Sequence, residues 1–278
     1  MKKVLVYLVD LVGCKEFLKV NVVKLKRLLS FVWQNVFNDE VRRQRKNHQL
    51  IPIIIISFNQ LFYLKRLIDF LYSKDYKNIV VIDNNSTYKP LLQYFDAVEG
   101  KIKIHRLKQN HGHLVFWKVE ELFEKYSKGY YVVTDPDINP IPECPEDFLQ
   151  YFKKILDKDF GITKVGFSLK IDDIPFTNRN KERILKWETQ FWNNKRNDGN
   201  FSADIDTTFA LYRARYKYTD SDFYNAVRTK KPYLAIHGGW YIDNENLTEE
   251  QKYFFTHCNT SSTWRINEEG KISRSIYL

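Results

Sequence analysis

The run Ile51-Pro52-Ile53-Ile54-Ile55-Ile56-Ser57-Phe58-Asn59 leaves little freedom in how this chain can fold. Successive side chains of a strand point to opposite faces, so four consecutive isoleucines make both faces apolar and both must be covered. Ile79-Val80-Val81-Ile82 repeats the pattern, and Tyr130-Tyr131-Val132-Val133-Thr134 repeats it again. Between these runs the apolar period changes from two to that of a helix. Leu64, Leu67, Ile68 and Leu71 form one stripe of a helix over 61–72. Further helices are expected over 89–98 and 115–126, with a strand over 101–107. Strands alternating with helices predict a mostly parallel, Rossmann-like α/β sheet with right-handed crossovers. After Pro140 the rhythm loosens. A helix over 146–156, a strand over 164–170, an apolar stretch after Asp206 and another ending at His237 are expected, then a helix from Leu247 and an irregular polar tail.

With 278 residues, 44% of them hydrophobic, the chain can build one large core. The expected division is a helical extension over 1–50 and an α/β domain over 51–278, regular in its first half at about 51–140 and looser over about 141–278. In the extension Leu18, Val22, Leu25, Leu29, Val32 and Val36 recur at steps of four and three, and Lys19, Lys24, Lys26 and Arg27 fill much of the rest. Arg42, Arg43, Arg45 and Lys46 follow. Such a basic amphipathic helix suits peripheral contact with an anionic membrane, or packing on its own domain with a solvated basic face. Both readings stand on sequence.

The net charge of +10 suits an anionic partner without choosing one, and no recognisable nucleic-acid module appears, so no nucleic acid is expected. Lys2-Lys3 before Val4 to Val9 resembles a signal opening and Leu11-Val12-Gly13-Cys14 a lipoprotein box, but Asp10 cuts the apolar run short. Cys14, Cys144 and Cys258 are widely spaced and suit reduced thiols rather than zinc. A cytoplasmic protein is expected, at most peripheral on the inner face of the membrane.

The strand Tyr130 to Thr134 runs directly into Asp135-Pro136-Asp137. Pro136 restricts both its own φ and Asp135, so the two carboxylates stay together at a strand end. Ligands of open α/β sheets sit there, and paired hard oxygens suit Mg²⁺ or Mn²⁺ facing a diphosphate. Taken alone, the motif is also an ordinary strand end with an Asp-Pro turn.

Ile53 to Asn59, the strand end Asp83-Asn84-Asn85-Ser86, Asp135-Pro136-Asp137, Asp204-x-Asp206-Thr-Thr-Phe-Ala-Leu-Tyr-Arg and His237-x-x-Trp240-Tyr241 stand in an order that resembles GT-A fold nucleotide-sugar glycosyltransferases, in particular bacterial family 2-type enzymes. The resemblance covers roughly 51–245. It implies a catalytic domain over 51–278, with a nucleotide and metal half at about 51–140 and an acceptor half at about 141–278, a nucleotide-sugar donor, a glycan or lipid-linked acceptor and bound Mn²⁺ or Mg²⁺. It places Asp137 on the metal, Asp135 on ribose or metal, and His237 as a third metal ligand or diphosphate contact. Phe58, Asn59, Asp83, Asn110, Gly112 and His113 fall at the nucleotide. Asp83 suits the imide N–H of uracil, which makes a UDP-sugar the expected donor. An inverting transfer needs a base: Asp206, then Asp204, with Glu188 in reserve, because the family's usual Glu-Asp pair is here two aspartates separated by Ile205. Trp187, Trp192, Trp240 and Tyr241 suit stacking on acceptor sugar faces.

Rival readings differ in testable features. A sugar-phosphate nucleotidyltransferase should open its first strand into a glycine-rich loop, and Ser57-Phe58-Asn59-Gln60 contains no glycine. A metal-dependent nuclease should carry basic residues near its carboxylates, whereas the densest basic run lies in the extension. A non-catalytic basic binding protein is compatible with the charge alone.

Overall fold

The structure, a computed structural model, describes the backbone of residues 2–258, 264–266 and 272–275, and the side chains of residues 20–258. Helix α1 (Lys2–Phe37) turns at Asn38 into α2 (Asp39–Lys46), and the Asn38 side chain caps α2 by accepting from the backbone of Glu40 and Val41. The signal-like opening lies in α1, and its side chains, like that of Cys14, fall outside the described residues. Then follow β1 (Ile53–Ser57), α3 (Phe62–Ser73), β2 (Ile79–Asp83), α4 (Lys89–Val98) and β3 (Lys103–Arg106). The helix expected over 115–126 is two pieces, α5 (Val115–Lys118) and α6 (Glu120–Tyr126), because Val119 between them is extended. Next come β4 (Tyr131–Thr134), β5 (Ile138–Pro140), α7 (Phe148–Lys158), β6 (Lys164–Gly166), β7 (Ser168–Leu169) and α8 (Lys181–Glu188). The chain continues with β8 (Phe201–Ser202), β9 (Ala210–Tyr212), β10 (Ala226–Arg228), β11 (Leu234–His237) and α9 (Glu249–His257). The hairpin β12 (Trp264–Ile266) and β13 (Ile272–Ser275) ends the described chain.

Eight strands form the main sheet in the order β3-β2-β1-β4-β9-β6-β10-β8. The first four are parallel, as the double-sided apolar runs require. β9 enters antiparallel between β4 and β6, a reversal that residue periodicity does not encode. The single strand expected over 164–170 divides at Phe167. Its first half stays in the main sheet, while its second pairs with β11 in a separate sheet, β5-β11-β7. Alternate residues of the central strands feed two cores. Ile53, Ile55, Val81 and Val132 pack on one face with α3, α4 and α7, while Ile54, Ile56, Val80, Tyr131 and Val133 pack on the other with α5 and α6.

Among the described residues no helix is long and apolar enough to cross a membrane. Cys144 is a buried free thiol.

Candidate active site

The strand order reverses its direction of growth at β1, with β2 and β3 to one side and β4 to the other, and the crevice at such a switch point opens beyond the strands' carboxyl ends. Register sets which residues reach it. Ser57 pairs with Asp83, and β4 ends two residues before Pro136. Asn59 adopts a left-handed backbone (φ 52°), a conformation asparagine tolerates better than most residues. Its Oδ1 accepts from the backbone N–H of Thr87 (2.7 Å) and Tyr88 (2.9 Å), and its own N–H donates to Ser86 Oγ (2.9 Å). Two polar groups remain over: Ser57 Oγ and Asn59 Nδ2 are buried with no partner among the described residues.

Asp83 is almost fully buried and accepts at Oδ1 from the Ser86 N–H (3.0 Å). Burial raises its carboxyl above the usual range, opposed by the Ser86 hydrogen bonds. Asn84, which residue type alone did not single out, organises the neighbouring loop. It donates from Nδ2 to Asn110 Oδ1 (2.9 Å) and the Gly112 carbonyl (3.1 Å), and accepts from the His111 N–H (2.9 Å). Gly112 has φ +80°, so a side chain there would strain the turn. His113 is exposed at the end of this loop, and Phe58 is half-buried with its ring against Phe254.

The antiparallel pairing of β11 with β5 sets His237 opposite Ile138, the residue after Asp137. Positions a hundred residues apart thereby become neighbours: His237 Nδ1 lies 3.5 Å from Asp137 Oδ2. The Gly238 N–H donates to the Asp137 carbonyl (2.7 Å), and the Gly239 N–H reaches both Asp137 Oδ2 (3.3 Å) and His237 Nδ1 (3.1 Å). Gly238 has no room for a Cβ, which would stand 2.4 Å from Tyr63 Cε2. Tyr63, another residue the sequence did not single out, has its hydroxyl pushed up to about 12 by burial and by the Asp137 charge.

Asp135 turns elsewhere. Its Oδ2 accepts from Thr207 Oγ1 (2.7 Å), and burial together with the Asp137 charge holds its carboxyl well above the usual range against the Thr207 bond. Among the described residues no three His, Cys, Asp or Glu side chains close into a metal cage. The expected trio of Asp135, Asp137 and His237 is therefore an adjoining pair, Asp137 with His237, beside a carboxylate held by Thr207. Two ligands about 2.1 Å from one ion stand roughly 3–3.5 Å apart, the separation of this pair, but the Gly239 N–H now donates to both atoms, so binding Mg²⁺ or Mn²⁺ between them requires that N–H to be displaced. A site with few protein ligands leaves coordination free for phosphate oxygens, the usual arrangement for Mg²⁺.

Asp204 and Asp206 are exposed on the segment that enters β9, at the same sheet edge as Asp135, and the Asp206 charge reaches Asp135. Two buried cations hold this segment by its backbone. Lys164 is fully buried on β6 and donates from Nζ to the Asp206 carbonyl (2.9 Å) and Tyr212 Oη (3.2 Å), with its ammonium 3.4 Å from the Phe223 ring centroid. Arg228 on β10 donates from Nε to the Asp204 carbonyl (2.8 Å) and stacks over Phe191. A fully buried lysine is rare, and in the sequence Lys164 was one more polar residue at a strand start.

Two expectations are corrected by burial, and a third residue is engaged within the chain. Glu188 is 2% exposed and ion-paired with Arg228, its carboxyl pushed up to about 7 by that burial, so it supports the Asp204 segment and does not face an acceptor. Trp240 is 1% exposed and stacks on the His237 ring at 5.0 Å, fixing the imidazole instead of meeting a sugar. Tyr241 donates its hydroxyl to Asp173. Trp187 is exposed, and Trp192 is half-buried against Phe201.

A mainly parallel sheet with a strand-end carboxylate motif at its switch point and an antiparallel strand beside it is the architecture of the GT-A enzymes. The sequence model of glycosyl transferase family 2 matches residues 53–218, and the chain belongs to that family. Among solved structures it is similar to the mannosyltransferase PcManGT from Pyrobaculum calidifontis in complex with GDP-Man and Mn²⁺, at 12% identity over 78% of this chain and 68% of that one, with a TM-score of 0.43. It is also similar to S. aureus TarS 1–349, at 14% identity over 67% of this chain and 59% of that one, with a TM-score of 0.41. A cytidylyltransferase from Leptospira borgpetersenii is more distant, at 13% identity over 72% of this chain and 89% of that one and a TM-score of 0.31. None of these likenesses is close enough to transfer a donor or an acceptor. No curated protein matches the chain.

Proposed function

We propose that this glycosyltransferase moves a sugar from a UDP-sugar to a hydroxyl of a glycan or glycolipid acceptor, with a divalent ion and with inversion. The observation that carries the reading is the convergence of Asp137 and His237 at 3.5 Å beside a crevice that contains unpartnered buried polar groups. Ser57 Oγ and Asn59 Nδ2 have hydrogen bonds to give at the end of β1, and a nucleotide is rich in acceptors. Asp83, at the end of β2, would accept from the imide N–H of uracil beside its hydrogen bonds from Ser86.

Asp137 and His237 would hold Mn²⁺ or Mg²⁺, which when bound neutralises the negative charge that develops on the departing diphosphate. Trp240 and the Gly239 N–H keep the imidazole facing Asp137. Asp206 takes the proton of the acceptor hydroxyl. That oxygen bonds to the anomeric carbon as the bond from carbon to the diphosphate oxygen breaks on the opposite face, and the electron pair leaves with UDP. Lys164 and Arg228 fix the carbonyls on either side of Ile205, so the exposed carboxylates stand on a rigid base. Trp187, whose indole is exposed beside Phe191, would stack on an acceptor ring.

Incubating the purified protein with a panel of nucleotide sugars, Mn²⁺ and acceptor glycans, and following nucleoside diphosphate release, tests the reading. UDP release that requires acceptor, stops with chelator and is lost in Asp137→Ala is the expected result. Metal-dependent release that survives Asp137→Ala unchanged would overturn the site assignment.

A further inference from the structure

Helix α1 is amphipathic in the sense opposite to that of a helix covering a core. The face seated on the domain is largely polar. Arg27 donates to the Phe160 carbonyl (3.1 Å) and to Asp222 Oδ2 (2.5 Å), and Asn38 Nδ2 donates to the Lys128 carbonyl (2.7 Å). Phe31 packs its ring against Phe160 on the same face. The apolar residues point away from the protein: Val22, Leu25, Leu28, Leu29, Val32, Trp33 and Val36 are between 39% and 61% exposed. At 100° per residue these seven span an arc of about 140°, wider than the narrow a/d seam of a two-stranded coiled coil. The same stretch of sequence is basic. Residues 1–46 hold eleven Lys and Arg against four Asp and Glu, a net of +7 out of the chain's +10. Arg42 donates to the Val36 carbonyl (3.0 Å) and Arg45 to Asn35 Oδ1 (2.6 Å), which brings the basic run to the end of the apolar arc.

We infer that the outward face of α1 inserts into an anionic lipid surface. The wide apolar arc supplies the buried area, and the basic run supplies attraction to lipid phosphates. A second copy of the chain is the less fitting occupant, because pairing two such extensions would bring two charges of +7 together without compensating acidic residues. The seat also fixes orientation. Lys128, Phe160 and Asp222 each precede a strand, β4, β6 and β10, and these three strands run in the same direction. α1 thus crosses the sheet edge where strands begin, while Asp135, Asp137 and Asp206 lie at the edge where β4 ends. The seat of the helix and the active-site carboxylates thus lie at opposite edges of the sheet, so lipid binding can be tested separately from catalysis.

Co-sedimentation of the full-length protein with vesicles of phosphatidylcholine, with and without phosphatidylglycerol, tests this independently of catalysis. Binding to the anionic vesicles that weakens with salt is expected. Leu25→Gln/Leu29→Gln/Val32→Gln changes exposed side chains only and should lower the bound fraction by more than about tenfold. Arg42→Gln/Arg43→Gln/Arg45→Gln should lower it about fivefold per charge removed that faces the lipid. The same proteins are passed through light scattering without lipid. Absence of anionic-vesicle binding by the parent, or undiminished binding by the apolar triple variant, overturns the inference. A dimer that the apolar substitutions dissociate, with no lipid binding, assigns the face to a second copy instead.

Discussion

Replacing Lys164 with Met separates the positioning of the Asp206 segment from the stability of the domain. In the folded chain the ammonium has no exposure, so its desolvation costs several kcal/mol. Opposing that cost are a charge-assisted hydrogen bond to the Asp206 carbonyl at 2.9 Å, about 1.5–3 kcal/mol, and a desolvated cation–π contact with Phe223, about 2 kcal/mol. Met fills nearly the same volume without the charge. The opposing terms then largely cancel, and unfolding free energy should change by less than about 2 kcal/mol in either direction. The Asp206 carbonyl, however, loses its anchor. If the 1.5–3 kcal/mol of that bond is spent on holding the carboxylate in reach of the acceptor, kcat should fall about 10- to 150-fold with UDP affinity unchanged.

The pH dependence of stability gives an independent reading. Burial holds the Lys164 ammonium well below its ordinary 10.5. The unfolded chain keeps that proton up to about 10.5, so between the two values it binds more protons than the folded chain does. The residue's contribution to stability therefore rises with pH across that alkaline window and is lost as pH falls through the folded value. Subtracting the Lys164→Met profile from the parent profile isolates a slope approaching about 1.4 kcal/mol per pH unit. Steady-state UDP release, UDP titration and denaturant unfolding at several pH values make up the assay. A folded Lys164→Met with kcat within about twofold of the parent would refute the anchoring role.

Asp206→Asn should bind UDP-sugar normally and transfer about 10²–10⁴-fold more slowly, while Asp204→Asn retains more activity; the reverse ranking in single-turnover assays moves the base to Asp204. Asp83→Asn keeps the acceptor for the Ser86 N–H but loses the carboxylate, and should weaken UDP binding roughly tenfold by calorimetry. An equal loss for GDP would show that Asp83 does not read the base. Gly166→Ala sets a Cβ 2.3 Å from the Phe209 carbonyl oxygen and 2.9 Å from Ile205 Cδ1. It should cost about 1–3 kcal/mol and lower Tm by roughly 2–4 °C per kcal/mol, and an unchanged melt would mean that the β6–β9 contact relaxes freely.

The local order of elements was legible because strand and helix periodicity is written in consecutive residues. Ile53 to Ile56 and Ile79 to Ile82 are buried throughout, as both-face apolar runs must be, and α4 occupies the expected 89–98. Asp135-Pro136-Asp137 at the end of β4 was legible for the same reason. Where the reading went astray, the deciding interaction was distant in sequence. Trp240 and Glu188 looked like surface chemistry until packing closed over them, one on His237 and the other on Arg228. The direction of α1's polar face was likewise set by Phe160, Asp222 and Lys128, all more than 80 positions beyond Lys46, and no helical period names its partner.

By itself the sequence determined that parallel strands would be sandwiched between helices and that two carboxylates would stand at a strand end, because a β-branched run and an Asp-Pro-Asp turn act on their own neighbours. Only the tertiary structure decided which carboxylate shares its space with an imidazole. Antiparallel pairing of β5 with β11 brings His237 to Asp137, while the insertion of β9 beside β4 gives Asp135 to Thr207 and seats the Asp206 segment on a buried lysine. Strand pairing and burial depend on the free energy of the whole core, and that quantity has no local signature in the order of residues.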